Sequence, residues 1–265
     1  MTRLAIVGSA GRMGGALLRE ASEDNGLEVG VALERANASS LGQDAGVVAG
    51  LGKSRLKISS DAQADDFDVM VDFSTPEATM QNIQTCLAMQ KAIVVGTTGM
   101  SQEQVQSLHS AAKEIPVFYA ANMSVGVNVT LKLLEVAAKA LGEQTDIEVI
   151  EAHHKHKVDA PSGTALKMGE VLAASLGKSL ERDGVFTRHG ITGARKEGSI
   201  GFSTIRGGDI AGEHTVMFIG EAERIEITHR ATDRKIFAQG ALRAAKWVVN
   251  QPAGLYGMNE LLGFD

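Results

Sequence analysis

The chain has 265 residues, 44% of them apolar and 22% charged, which suits one large or two smaller soluble domains. A formal net charge of −6 argues against a general nucleic-acid or membrane-surface binder while leaving room for a local basic site. With one cysteine, Cys86, no intrachain disulfide can form, and its neighbours Ile83 and Leu87 make it an expected buried apolar residue.

No run approaches the ~18 apolar residues of a membrane span. The opening MTRLAIVGSAGR enters a strand-and-turn pattern at once, so a cytoplasmic location is expected. Leu4 to Val7 reads as a buried strand, and GSAGRMGGALLREASED then switches to helical spacing. Leu27 to Leu33 is a second strand ending at Glu34, and residues 36–53 read as loop. Asp68 to Phe73 is a buried strand, and STPE starts a helix with Pro76 in its first turn. Ala92 to Val95 is a strand ending in GTTG; a helix and the strand-and-loop PVFYAANMS follow. Strands alternating with helices at this pitch predict an α/β, Rossmann-type doubly wound parallel sheet.

The pattern changes after Ser124. Val127 to Leu141 and Ser162 to Leu176 read as helices, with Asp146 to Ala152 a strand between them. From Gly198 the sequence reads as antiparallel strands, HTVMFIG-EAE-RIEITH being a hairpin. A last helix covers Lys235 to Asn250, with Phe237, Ala241, Ala244, Trp247 and Val248 spaced for burial. The expected organisation is an α/β nucleotide-type domain followed by a second, α+β domain with a mixed or antiparallel sheet.

Residues 8–14, GSAGRMG, join a strand to a helix, where a tight turn turns backbone N–H groups toward a pyrophosphate. The glycines fall at 8, 11 and 14 rather than in the common G-x-G-x-x-G spacing, so a simple strand-to-helix turn is the competing reading. Glu34, about 20 residues beyond the loop, ends the second strand where a carboxylate accepts from ribose hydroxyls. Arg35 beside it suits a 2′-phosphate, and Arg12 lies within reach of a phosphate. NADH or NADPH is the expected cofactor. The loops Gly96-Thr97-Thr98 and Ala120-Ala121-Asn122-Met123 lie at strand ends, where open α/β sheets bind ligands.

Residues 151–165 read EAHHKHKVDAPSGTA. Histidines 153, 154 and 156 lack the i, i+4 spacing of a helical metal site, and no metal is expected. A helix beginning at PSGT presents free N–H groups and partial positive charge, with Ser162 or Thr164 as its cap. With Lys157 it makes a site for a small acid, while an imidazole supplies a proton to a carbon that has accepted hydride. His156 is expected to be structural or solvent-facing.

This block resembles the signature of the 4-hydroxy-tetrahydrodipicolinate reductase (dihydrodipicolinate reductase) family. GSAGRMG, Glu34-Arg35, VDFSTPE, VVGTTG, YAANMSVGVN, RGGDIAGEHTV and PAGLYGM extend the resemblance in order along the chain. Ala10 departs from it where many members carry glycine, a change of one methyl. The resemblance implies reduction of the cyclic imine derived from 4-hydroxy-tetrahydrodipicolinate to tetrahydrodipicolinate, in lysine and diaminopimelate biosynthesis. It implies His153 as proton donor, Lys157 as second acid, and His154, Gly163 and Thr164 as ligands of a small dicarboxylate. It assigns Gly8, Ser9, Ala10, Gly11, Arg12, Met13, Glu34, Arg35, Gly96, Thr97, Thr98, Ala120, Ala121, Asn122 and Met123 to the cofactor. It also implies that the last helix returns to the first domain, so that residues 1–124 with 235–265 bind the dinucleotide and 125–234 carry substrate binding and oligomerisation, with a homotetramer built through the C-terminal sheet and hinges near Ser124 and Arg234. Closure of these hinges when substrate and cofactor are both bound is expected. The competing functions are another two-domain oxidoreductase, a non-catalytic NAD(P)H-binding sensor and a metal-dependent hydrolase.

Overall fold

The computed structural model describes residues 1–142 and 144–264. Glu143 and Asp265, which fall within the two expected domain ranges, lie outside the described residues. The chain divides into two compact units, residues 1–125 with 235–265, and residues 126–234.

The first unit contains strands β1 (Thr2–Val7), β2 (Leu27–Leu33), β3 (Ile58–Ser59), β4 (Val69–Asp72), β5 (Ala92–Val95), β6 (Pro116–Tyr119) and β12 (Gly254–Tyr256). They form a parallel sheet in the order β12-β6-β5-β4-β1-β2-β3. Every residue of β4 and β5 is buried, as expected of strands covered on both faces. On one face, helices α1 (Arg12–Ser22) and α8 (Lys235–Val248), with the short α2 (Ala45–Ala49), pack over Leu4, Ile6, Val69, Val71 and Val94. On the other, α3 (Pro76–Met89) and α4 (Gln102–Ala111) cover Ala5, Val7, Met70, Ile93 and Val95. Cys86 lies in this second core, and burial pushes its thiol up, out of reach of thiolate chemistry.

The order in which strands are added reverses about β1, whose neighbours are β2 on one side and β4 on the other. The C-terminal ends of the parallel strands therefore share one edge, with the strand-order switch near its middle. The region read as loop over 36–53 contains α2, capped by the Asp44 side chain on the Val47 N–H. Five residues were too few for a period to be visible. Ala241, Ala244 and Val248 of α8 are buried, while Phe237 and Trp247 are half-buried; Trp247 meets Phe118 edge to face.

In the second unit, β7 (Asp146–His153), β8 (Gly184–Val185), β9 (Ile200–Arg206), β10 (Gly212–Ile219) and β11 (Arg224–Ala231) form a sheet in the order β11-β10-β7-β9-β8. The expected hairpin is present: β10 and β11 pair antiparallel over eight residues each. The expectation that all strands after Gly198 are antiparallel is corrected, because β9 runs parallel to β7. The intervening α6 (Gly163–Ser175) and α7 (Leu180–Asp183) return the chain to the starting end of the sheet, as a parallel crossover requires. Helix α5 (Val125–Leu141) and α6 cover one face, burying Leu134, Ala138, Met168 and Leu172 against Ile147, Val149, Phe202, Val216 and Phe218. The small terminal helix α9 (Met258–Leu262) completes the first unit.

Gly14 in α1 is a point of close approach, since an added methyl would overlap the Gly8 carbonyl oxygen. Gly14→Ala is expected to cost about 1–3 kcal/mol, the range for overpacking, read as a lower urea midpoint. An unchanged midpoint would show that α1 does not pack on the turn in this way.

Candidate active site

The sheet edge of the first unit carries all the sequence-predicted cofactor residues. Ordered along the edge they are 120–123 after β6, 96–98 after β5, 8–13 after β1, and 34–35 after β2. Hydrogen bonds carry the strand ladder on into the loops: Ser9 N–H donates to Leu33 O (3.0 Å), Gly96 N–H to Asp72 O (2.8 Å), and Ala120 N–H to Val95 O (3.2 Å). Gly8 has φ +66°, a left-handed turn that glycine adopts without strain. The cap of α1 is Gly11, which has no side chain to satisfy the first N–H groups. The Ser9 hydroxyl is buried there without a hydrogen-bond partner. Free amides and an orphaned hydroxyl at a helix start fit an anionic phosphate. The Glu34 carboxylate accepts from the Ala10 N–H (3.0 Å) and so stands at the rim of the same turn.

Several predicted residues reach this edge through backbone alone. The Met123 side chain is buried in the core, and Met13 packs partly against it. Thr97 is buried with its hydroxyl on that of Thr79 (2.8 Å), leaving Thr98 exposed. Gly96 is required because an added methyl would overlap the Phe73 ring. Arg12, Arg35 and Ala121 are exposed. Sequence reading missed Asp72, fully buried at the end of β4, which accepts from Ser74 N–H (2.8 Å), Ser74 Oγ–H (2.5 Å) and Asn82 Nδ2–H (2.9 Å) and so ties the VDFSTPE turn to α3.

In the second unit the site grows out of the core. Alternate residues Ile147, Val149, Glu151 and His153 of β7 are all buried, on one face of a pleated strand. The last two convert an apolar row into a polar one. Register places His214 of β10 and Thr204 of β9 opposite Glu151, and Arg206 opposite His153. Glu151 is 1% exposed. Its Oε2 lies 2.6 Å from His153 Nδ1 and accepts from Arg206 Nη1 (2.8 Å). Its Oε1 accepts from Arg206 Nη2 (2.8 Å), Ser162 N–H (3.1 Å) and Thr204 Oγ1 (3.2 Å). Burial pushes this carboxyl up, but hydrogen bonds from Arg206 and His153 outweigh it and hold the group below the usual range. It is therefore ionised at neutral pH, and an ionised carboxylate only accepts. The proton on the His153 ring thus sits on Nδ1, which leaves Nε2 as the atom that exchanges protons. Burial is the largest influence on His153 and, helped by the Lys157 and Arg206 charges, holds its pKa below the ordinary value against the opposing pull of Glu151.

Ser162 is the cap of α6, its Oγ accepting from Ala165 N–H (3.1 Å) and meeting His214 Nε2 at 2.9 Å. Gly163 and Thr164 form the first turn, and nothing lies within 4 Å of where a Gly163 methyl would stand. Lys157 pairs with Asp159 at 2.9 Å and acts electrostatically on His153. His154 lies outside the Glu151 network: its Nε2 meets Arg234 Nη2 at 3.1 Å and its Nδ1 is buried without a partner. It lines a shallow cavity with Lys155, His156, Gly208 and Asp209, and His156 is exposed. Among the described residues, no group of three or more His, Cys, Asp or Glu side chains is disposed to hold a metal ion, and no helix is long and apolar enough to cross a membrane.

Comparison with known proteins bears on both halves of this geometry. The family model described as dihydrodipicolinate reductase, N-terminus, matches residues 2–123, and that of the C-terminus matches residues 126–262. The chain belongs to the dihydrodipicolinate reductase family. A 4-hydroxy-tetrahydrodipicolinate reductase of Acinetobacter baylyi is 54% identical over 99% of this chain and 97% of its own length. One of Acinetobacter baumannii is equally similar. Among solved structures, a dipicolinate-bound dihydrodipicolinate reductase from Paenisporosarcina sp. TG-14 superposes with a TM-score of 0.77 at 23% identity, covering 98% of both chains. GenD2 from gentamicin A biosynthesis, in complex with NAD, gives 0.56 at 14% identity over 94% of this chain and 85% of its own. At those identities the structures establish the fold. As a member of the dihydrodipicolinate reductase family, the chain combines a Rossmann-type unit with a second, mixed-sheet unit.

Sequence reading of the second unit missed Glu151, Arg206 and His214. Position parity along β7 could have found the first, since 151 shares a face with 147 and 149. The others depend on long-range strand pairing, of Arg206 with His153 and of His214 with Glu151.

His214 is 4% exposed, and burial holds its imidazole down at about 4 against an ordinary 6.5. A base depressed in the folded chain stabilises fully above its unfolded pKa and loses that contribution as pH falls through the folded value. Stability is expected to fall between pH 6.5 and about 4, and to fall less steeply in His214→Gln. Parallel urea-midpoint curves for the two proteins over that window would contradict this.

Proposed function

We propose that this chain catalyses reduction of 4-hydroxy-tetrahydrodipicolinate, by way of the conjugated cyclic imine dihydrodipicolinate, to tetrahydrodipicolinate and water, using NADH or NADPH, in lysine and diaminopimelate biosynthesis. Family membership over both halves of the chain supports the reaction. The observation that carries the chemistry is the buried Glu151–His153 pair, 2.6 Å apart, beside the start of α6.

In this reading residues 1–124 with 235–265 bind the dinucleotide, and 125–234 bind the substrate. Residues 8–13 meet the pyrophosphate through the uncapped N–H groups at the start of α1 and the Ser9 hydroxyl, while Glu34 and Arg35 hold the adenosine ribose end. The loops 96–98 and 120–123 border the nicotinamide. When bound, the reduced nicotinamide supplies a hydride to the imine system. One substrate carboxylate takes the N–H groups of Gly163 and Thr164, helped by the partial charge of the helix start. Lys157 and His154 contact the substrate further, and the fixed Lys157 cation stabilises charge that builds in the transition state. The dicarboxylate also favours the His153 imidazolium, offsetting the burial that otherwise holds the ring neutral. Protonated His153 gives the Nε2 proton to the carbon framework and is left as the neutral ring with Nδ1–H on Glu151.

A homotetramer is part of the proposal. It is supported by β11, an eight-residue strand at the sheet margin with Ile225 41% exposed, since long uncovered edges pair with other chains. A cytoplasmic location fits the biosynthetic role.

The test is cofactor oxidation, with substrate generated in place by the preceding synthase, for wild type and His153→Gln. Wild type is expected to turn over with NADPH or NADH, and the variant to lose the ~10²–10⁴-fold typical of a missing general acid. A variant as fast as wild type would move the donor to Lys157; a wild type that binds dinucleotide without oxidising it would refute the assignment.

A further inference from the structure

We infer that Glu151 is a positioning residue for catalysis, which holds the donor ring with Nδ1 protonated and ties it to the helix start beside it. The inference rests on the reading of His153 as proton donor and goes beyond it.

The geometry gives Glu151 one carboxylate with two distinct sides. Oε2 serves His153 Nδ1 and one Arg206 nitrogen; Oε1 serves the other Arg206 nitrogen, Ser162 N–H and Thr204 Oγ1. Arg206 is anchored in turn on the Asp159 carbonyl (2.6 Å). One buried group thus fixes the orientation of His153 and the position of the α6 cap together. The other charged or titratable groups facing His153 are Lys157 from the following loop, Arg206 from β9 and His214 from β10, whose ring meets it edge to face with centroids 5.1 Å apart. Glu151 is the one anion among them. An orienting carboxylate behind a catalytic imidazole selects its tautomer and stabilises its charged form.

Glu151→Gln separates these roles from simple packing. The amide keeps the shape but has one acceptor oxygen. On the Oε1 side that oxygen meets three donors, on the Oε2 side two, so it turns toward Ser162, Thr204 and Arg206. The amide NH₂ then faces His153 Nδ1, which must become an acceptor. The substitution therefore moves the ring proton to Nε2 and disfavours the imidazolium.

The experiment combines ¹⁵N NMR of the His153 ring with pH profiles of kcat and KM for the wild-type, Glu151→Gln, Glu151→Asp and His153→Gln enzymes. In the wild type near neutral pH the ring is expected to carry its proton on Nδ1; in Glu151→Gln, on Nε2. The Gln variant is expected to lose kcat by up to the ~10²–10⁴-fold of an absent acid, with the alkaline limb of kcat moved to lower pH, because the anion that favoured the protonated ring is gone. Glu151→Asp keeps that charge and is expected to keep the limb while losing part of kcat. A Gln variant with the wild-type tautomer and limb would overturn the inference, even if its rate were reduced. Should that variant fail to fold, an Nε2-protonated ring in the wild type would overturn it alone, and an Nδ1-protonated one would support it. A fully active His153→Gln would instead remove the underlying donor reading.

Discussion

The second unit is organised around one buried anion. Glu151 is 1% exposed and accepts five hydrogen bonds from four residues. An isolated buried carboxylate would cost several kcal/mol, and only well-aimed donors offset that. Here the offset comes from a bidentate guanidinium, a backbone amide, a hydroxyl and the imidazole. Those partners lie on β7, β9 and the α6 cap, so satisfying one charge brings three elements into register at the place where the proposed chemistry occurs. His214 closes the arrangement from β10 through the Ser162 hydroxyl. The fold supplies the burial that makes this carboxylate demanding, and the demand orders the site.

The first unit works by a different constraint. A parallel sheet covered on both faces has no exposed strand surface to spare, so binding moves to the edge where the loops emerge. Backbone approach matters more than side-chain chemistry there. Gly8, Gly14 and Gly96 each stand where a turn or a close neighbour excludes a side chain, and the substituted middle position, Ala10, is exposed and gives its N–H to Glu34. That explains why the departure from the common glycine spacing leaves the turn intact.

Much of this was legible before any coordinates. The buried runs of β4 and β5, the Pro76 helix start and the EAHHKHKVDAPSGTA block announce themselves through local composition, and local signals need no partner strand. The direction of β9 did not, because parallel and antiparallel pairing leave the same alternation in a single strand. Helix α2 escaped for lack of length, with five residues in a glycine-rich stretch. Glu151 belongs to that block, but its local sequence marks it only as strand; its role depends on Arg206, 55 positions away. His154 and His153 are adjacent in sequence but lie in separate environments, one on Arg234 and one on Glu151, as alternation along an extended segment requires.

The central claim is that this chain passes a hydride from a bound nicotinamide to a cyclic imine dicarboxylate. The most direct measurement is mass analysis of product formed with cofactor deuterated at the transferable position of the nicotinamide, again with substrate made in place. The account predicts one deuterium in each product molecule and one cofactor oxidised per product. Cofactor that binds tightly but remains reduced, or product formed without the label, would contradict it.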